Sequence, residues 1–233
     1  MSKTMFAAAG LLIGLANLVG TAGPVTNAGS AASATNDITL RWRAEQGDPQ
    51  SQNNLGVCYL MGTGVQPDKA EALKWFRKAA AQGDAKAQLN LGSCYLSGDG
   101  VKPDRAEALK WFRSAADLGD AKAQFNLGVC YRKGDGVTAD KRDAALWFRK
   151  AAEQGLAAAQ YNLGMCYVEG AGVPEDPVEA YTWFFLAGAS GNAQGSTAVA
   201  ELARILTPPQ VAEAQERALK WRAAFAQSHP APK

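Results

Sequence analysis

Histidine is almost missing from this chain: His229 is the only one, and it lies in a proline-rich tail. A nucleophile elsewhere would therefore have no imidazole to activate it. Cysteine is sparse as well, with four residues and none in the C-x2-4-C spacing of a zinc site. Neither charge sign dominates, since 24 Lys and Arg face 22 Asp and Glu for a formal +2. Such balance offers no electrostatic footprint for nucleic acid or anionic lipid. The patterns S-x-x-K, K-T-G, H-E-x-x-H and G-x-x-x-x-G-K are all absent, and Asp and Glu occur mostly at helix caps and on outer faces. No acid–base pair is evident, so the chain reads as non-catalytic, with no cofactor and no metal.

Long apolar runs are missing too, apart from Met5 to Val19, which is shorter than the roughly 20 residues needed to cross a bilayer and is interrupted by Asn17. Lys3 precedes this run and Ala32-Ser33-Ala34 follows it as an A-x-A site, so residues 1–34 read as a signal peptide, with earlier cuts available after Ala22 or Ala28. Cleavage would leave no membrane span. The remainder, at 47% hydrophobic and 20% charged over the whole chain, has the composition of a protein able to bury a core.

What the chain has in quantity is repetition. Gly47, Gly83, Gly119 and Gly155 fall 36 residues apart, as do Trp75, Trp111, Trp147 and Trp183. Within one unit Gly83 ends a helix and Asp84 caps the next, whose apolar face is Ala87, Leu91, Cys94 and Tyr95. A G-x-G-V loop turns the chain, and Asp104 with Glu107 has the spacing of a capping box opening a second helix, which buries Ala108, Trp111, Phe112, Ala115 and Ala116. Each unit is a helical hairpin that must stack on its neighbours. The spacing predicts four units over 47–190, an N-terminal capping segment at 35–46 with a short helix Ile38 to Ala44, a degenerate capping repeat at 191–226, and a disordered tail at 227–233. In the last unit Leu219 stands where the period asks for tryptophan, and Trp221 comes two residues late.

The pattern A-x-A-Q-x-N-L-G-x-C-Y-x-x-G-x-G-V, followed by A-x-x-W-F-R-K-A-A-x-Q-G, resembles the Sel1-like repeat, a relative of the tetratricopeptide repeat. The resemblance implies an all-α, right-handed α-solenoid of stacked hairpins, four repeats plus the capping unit. It also implies a protein-interaction scaffold, and with the leader it implies a bacterial periplasmic or secreted protein, expected to be monomeric. Some cysteine-rich relatives bind or hydrolyse β-lactams, which leaves a cell-wall-related enzyme, acting on β-lactam or peptidoglycan, as the alternative.

Cys58, Cys94, Cys130 and Cys166 each occur once per unit in the frame L-G-x-C-Y. Equivalent atoms of adjacent hairpins stand on the order of 10 Å apart, too far for a disulfide, which needs Cα atoms within about 7 Å. Packing is the expected role. The disulfide within each repeat of the cysteine-rich relatives needs two cysteines per unit and is not carried over.

Positions that vary between copies are free of the stack. Asn53, Leu89, Phe125 and Tyr161 form one such column, and Val57, Ser93, Val129 and Met165 a second. Two more columns include Arg132 and Lys133, and all fall on one stripe of the first helix, which in tetratricopeptide arrays lines the concave face. These ten residues are the expected site for a protein or peptide partner. The alternative is that Leu89, Phe125 and Tyr161 only pack within the stack. Asn54, Asn90, Asn126 and Asn162 are expected to satisfy backbone groups. Lys74, Arg77 and Lys78 are expected to be a solvated outer face.

Overall fold

Asp48, Asp84 and Asp120 each accept a hydrogen bond from the backbone N–H three residues on, at 2.8, 2.7 and 2.8 Å, and so start a helix. In the computed structural model, which describes residues 30–229 and side chains from residue 38 onward, these caps open α2 (Pro49–Met61), α4 (Ala85–Ser97) and α6 (Ala121–Lys133). Leu156 opens α8 (Ala157–Glu169) with no side-chain bond, as expected where Asp is lost. Each of these helices pairs with a second one: α3 (Lys69–Ala81), α5 (Arg105–Asp117), α7 (Lys141–Glu153) and α9 (Pro177–Ala189). The second helix packs in turn on the next first helix, giving an all-helical solenoid of consecutive hairpins. Gly83 at the seam has φ +86°, a left-handed turn that an L side chain rarely adopts.

The capping box expected at Asp104 and Glu107 is half-formed. Glu107 N donates to Asp104 Oδ1 at 2.9 Å, but the backbone N–H of Asp104, which the Glu would have taken, donates to Tyr95 O at 2.8 Å. The Glu107 carboxylate is left for Lys110 Nζ at 2.9 Å. The same backbone tie, from Asp68, Asp140 and Asp176 to Tyr59, Tyr131 and Tyr167, closes every hairpin.

Inside each hairpin a phenylalanine ring lies close against a glycine. A Cβ built on Gly56, Gly92, Gly128 or Gly164 would meet the ring of Phe76, Phe112, Phe148 or Phe184 at 2.7, 2.7, 2.7 and 2.6 Å. All four phenylalanines are fully buried. The G-x-G loops pack equally closely on the preceding unit, where a Cβ on Gly100 would come 2.2 Å from Lys69 O. Beside it Lys69 pairs with Asp99 at 2.6 Å, and Arg105 with Asp135 at 3.4 Å.

The two ends depart from expectation. α1 (Ser30–Glu45) is longer than the short helix expected, and it begins ahead of Ala34. Leu40 and Ala44 do cover the first unit, in a cluster with Leu55 and Trp75. At the other end α10 (Ala193–Leu202) packs on α9, but α11 (Pro208–Ser228) packs on α9 rather than forming a hairpin with α10. The expected capping repeat is therefore not a fifth hairpin. Gly188 stands where the other units have alanine, Gly195 where they have alanine or Ser51, and both let α10 press close to α9, while the missing G-x-G-V loop removes the turn that would fold α11 back onto α10. Thr182 Oγ1 donates to Ala214 O at 3.3 Å, Arg217 pairs with Glu179 at 2.5 Å, and Trp221 meets Trp183 edge-on with ring centroids 6.1 Å apart. Trp221 is out of register because α11 follows a different path. Gln210 Oε1 accepts from Thr207 N at 2.9 Å, as the expected cap requires, and α11 runs past Ala226 to Ser228. Residues 1–29 of the expected leader and 230–233 of the expected tail lie outside the described residues.

Candidate binding face

The cysteines are spent on packing. Cys94, Cys130 and Cys166 are 2%, 3% and 5% exposed, and burial pushes their thiols up to about 12, 11 and 11. They stay protonated at neutral pH and are poor nucleophiles. Cys58 is half-buried, because α2 has only α1 ahead of it. Among the described residues no three His, Cys, Asp or Glu side chains gather as a metal site would require.

Constant polar residues do structural work that spacing alone did not reveal. Gln52, Gln88, Gln124 and Gln160 are buried, and each donates to the carbonyl of Ala44, Ala80, Ala116 or Ala152 at 3.0 to 3.3 Å, at the end of the preceding helix. Arg41 and Arg77 donate to the hydroxyls of Tyr59 and Tyr95 at 2.9 Å, and Arg113 and Arg149 do the same to Tyr131 and Tyr167. Arg77 is thus exposed, as expected, and also held at its tip by Tyr95. Lys74 pairs with Glu71 at 2.8 Å, and Lys78 lies over the Trp75 ring at 4.1 Å. The available signal was constancy in all four copies.

The variable columns fall on one face of α2, α4, α6 and α8. Asn90 Nδ2 donates to Asn53 Oδ1 at 2.8 Å and Arg132 Nη1 to Asn162 Oδ1 at 2.6 Å, tying α4 to α2 and α6 to α8 across that face. Of the constant asparagines, Asn90 and Asn162 thus bond to side chains of neighbouring units, and Asn162 also donates to a backbone group, Ala158 O, at 2.7 Å, as expected. Asn53 is buried, whereas Val57, Leu89, Ser93, Phe125, Val129, Tyr161 and Met165 are half-buried, and Arg132 and Lys133 are exposed. Phe125 tilts against Phe148 at 5.8 Å and Tyr161 against Phe184 at 5.4 Å, so each ring packs one side within its own hairpin. Arg132 lies 5.5 Å above the Phe148 ring. Burial raises the Tyr161 hydroxyl above its ordinary value, reinforced by nearby Glu201.

Stacked hairpins with a repeated Gly–Phe crossing and a variable face on the first helices define a helical-repeat protein. The Sel1 repeat model matches residues 49–84, 85–120, 121–156 and 157–192, and the chain belongs to that family, whose members generally mediate protein–protein contacts. A solved protective antigen of uropathogenic Escherichia coli with an SLR fold is 37% identical over 83% of this chain and 43% of its own, with a TM-score of 0.73. A Sel1 repeat protein from Oxalobacter formigenes is 36% identical over 73% of this chain and 50% of its own, with a TM-score of 0.68. The chain thus spans half or less of the length of these two relatives. No curated protein matches it.

Proposed function

We propose that this protein is a non-catalytic adaptor of the bacterial cell envelope that holds a peptide or protein partner against the face of α2, α4, α6 and α8. The observation that carries the reading is that Phe125 and Tyr161 remain half-exposed after packing on Phe148 and Phe184, in a row with Leu89 and Val129. Aromatic residues in such rows anchor partners. The envelope assignment rests on Lys3, the apolar run Met5 to Val19 and the A-x-A sites that follow. Because α1 begins ahead of Ala34, a cut after Ala22 or Ala28 leaves that helix whole, and those sites are favoured.

The test is crosslinked capture from envelope extracts with purified full-length protein. Phe125→Ala with Tyr161→Ala is expected to reduce recovery of the captured partner about tenfold or more, on the order of the 2 kcal/mol that marks a hot spot, while circular dichroism stays near wild type. Undiminished capture would remove this face from consideration.

A further inference from the structure

Across the first three hairpins this face carries charge of one sign. α2, α4 and α6 contain no Asp or Glu, whereas α4 and α6 contribute Lys86, Lys122, Arg132 and Lys133, all exposed. On the second helices Lys69, Lys74, Arg105 and Lys110 pair with carboxylates, and Arg77, Lys78, Arg113, Arg149 and Lys150 lie over aromatic rings. None of the four on α4 and α6 has a carboxylate at ion-pair distance among the described residues, and Arg132 is held by the neutral Asn162. Unpaired cations beside apolar side chains call for an acidic ligand.

Their placement also sets its width. Lys122, Asn126, Val129 and Lys133 share one stripe of α6 at i, i+4, i+7 and i+11 spacing, and the two lysines stand roughly 16 Å apart along the helix axis at 1.5 Å per residue. Lys86 occupies the same position on α4 as Lys122 does on α6 and extends that rim, while Arg132 and Lys133 form the opposite one. Between the rims lies a floor of half-buried Leu89, Ser93, Phe125 and Val129. A helix with its side chains is about 10 to 12 Å across, which lysines reaching inward from both rims can grip. In an extended chain laid across this face, successive side chains alternate toward and away from the floor, so they would not project sideways to meet both rims.

Building on the binding-face reading above, we propose that the occupant is an acidic amphipathic helix of a partner protein. Its apolar stripe lies across α4 and α6, and its flanking carboxylates meet Lys86 and Lys122 on one side and Arg132 and Lys133 on the other. Exposed Glu169 on α8 and Glu201 on α10 reverse the sign beyond Tyr161, so the acidic stretch of the partner ends there.

A random-peptide phage library selected on the full-length protein tests this, with two variants run in parallel: Lys86→Glu/Lys122→Glu/Lys133→Glu, and Ser93→Arg, which fills the floor. Both variants are used only if helicity and urea midpoint match wild type. The wild type is expected to enrich clones with apolar residues at i, i+3, i+4 and i+7 flanked by Asp or Glu. A synthetic peptide from such a clone is expected to gain helicity on binding and to bind the triple variant at least tenfold more weakly. Reversing the peptide's acids to lysine is expected to recover binding to that variant. Enrichment without acids, or a bound peptide that gains no helicity, overturns the helix proposal while leaving the face as a binding site. If no enriched clone is lost on Ser93→Arg, the binding-face reading itself falls. Capture of a labelled dT20 oligonucleotide by wild type but not by the triple variant would reassign the cations to nucleic acid and also overturn the proposal.

Discussion

Gln88 keeps its side-chain nitrogen on Ala80 O, but its Oε1 is buried with no donor. In two other units that oxygen is served: Gln82 Nε2 reaches Gln52 Oε1, and Gln154 Nε2 reaches Gln124 Oε1, both at 2.8 Å. The equivalent donor for Gln88 would come from position 118, where leucine stands 57% exposed, and for Gln160 from position 190, which is Ser190. Leu118 has φ −79°, close to the −90° of Gln82 and the −86° of Gln154, so glutamine fits that backbone. Leu118→Gln is expected to raise stability by about 1 kcal/mol, the usual net value of a buried hydrogen bond. Urea denaturation would measure it, and the gain is expected to vanish in a Gln88→Ala background. An equal gain in both backgrounds would mean that the new side chain acts elsewhere.

Between elements the decisive contact is the glycine under the phenylalanine. Gly128→Ala would gain roughly 1 kcal/mol of helix propensity in isolation. The added Cβ, however, would lie 2.7 Å from the Phe148 ring and 3.2 Å from Ala144 O, and that ring is fully buried with no room to retreat. Overpacking of this kind costs about 1 to 3 kcal/mol, so a net loss is expected in urea denaturation, with partial recovery on adding Phe148→Leu. A more stable Gly128→Ala would show that the hairpin opens easily.

This scale also separates what the residues disclosed from what they withheld. Helix boundaries, seams and aspartate caps follow from the period, because each depends on residues a few positions apart. The Gln-to-carbonyl bonds join residues eight apart and the Arg–Tyr bonds residues 18 apart, so constancy marked these positions without naming their partners. Glu107 misled because local spacing cannot reveal that Tyr95 O already holds the Asp104 N–H. The path of α11 had no earlier copy to be read against. For the binding face, the stripe was legible from variation among copies, whereas the burial of Asn53 depends on Asn90 of the neighbouring unit. Lys86 and Lys122 carry no comparable signal, because lysine at a helix start looks like ordinary solvent-facing charge.

Over the whole molecule, α11 finishes the array by lying along α9, covering Thr182, Trp183 and Leu186, which are 5%, 6% and 1% exposed. Lys74 and Lys78 occupy the matching positions on α3 and stay exposed. A chain ending at Leu206 is therefore expected to lose at least about 3 kcal/mol, the burial value of one leucine with part of a tryptophan. Because each hairpin leans on the next, hydrogen-exchange protection should fall most in α8 and α9 and least in α2 and α3. Uniform loss along the chain would mean that the array melts as one unit.

The junctions between hairpins are near-copies of one another: a glutamine on a carbonyl, an arginine on a phenol, a glycine loop against a helix start. Joinery that is so nearly alike at the seams ahead of α4, α6 and α8 does not record how many panels have been hung. Cutting at one seam and splicing in another panel would leave both new joints with the old fittings, so the reach of this protein, and on the proposed function the size of the partner it can embrace, is set by copy number rather than by any fresh solution to folding.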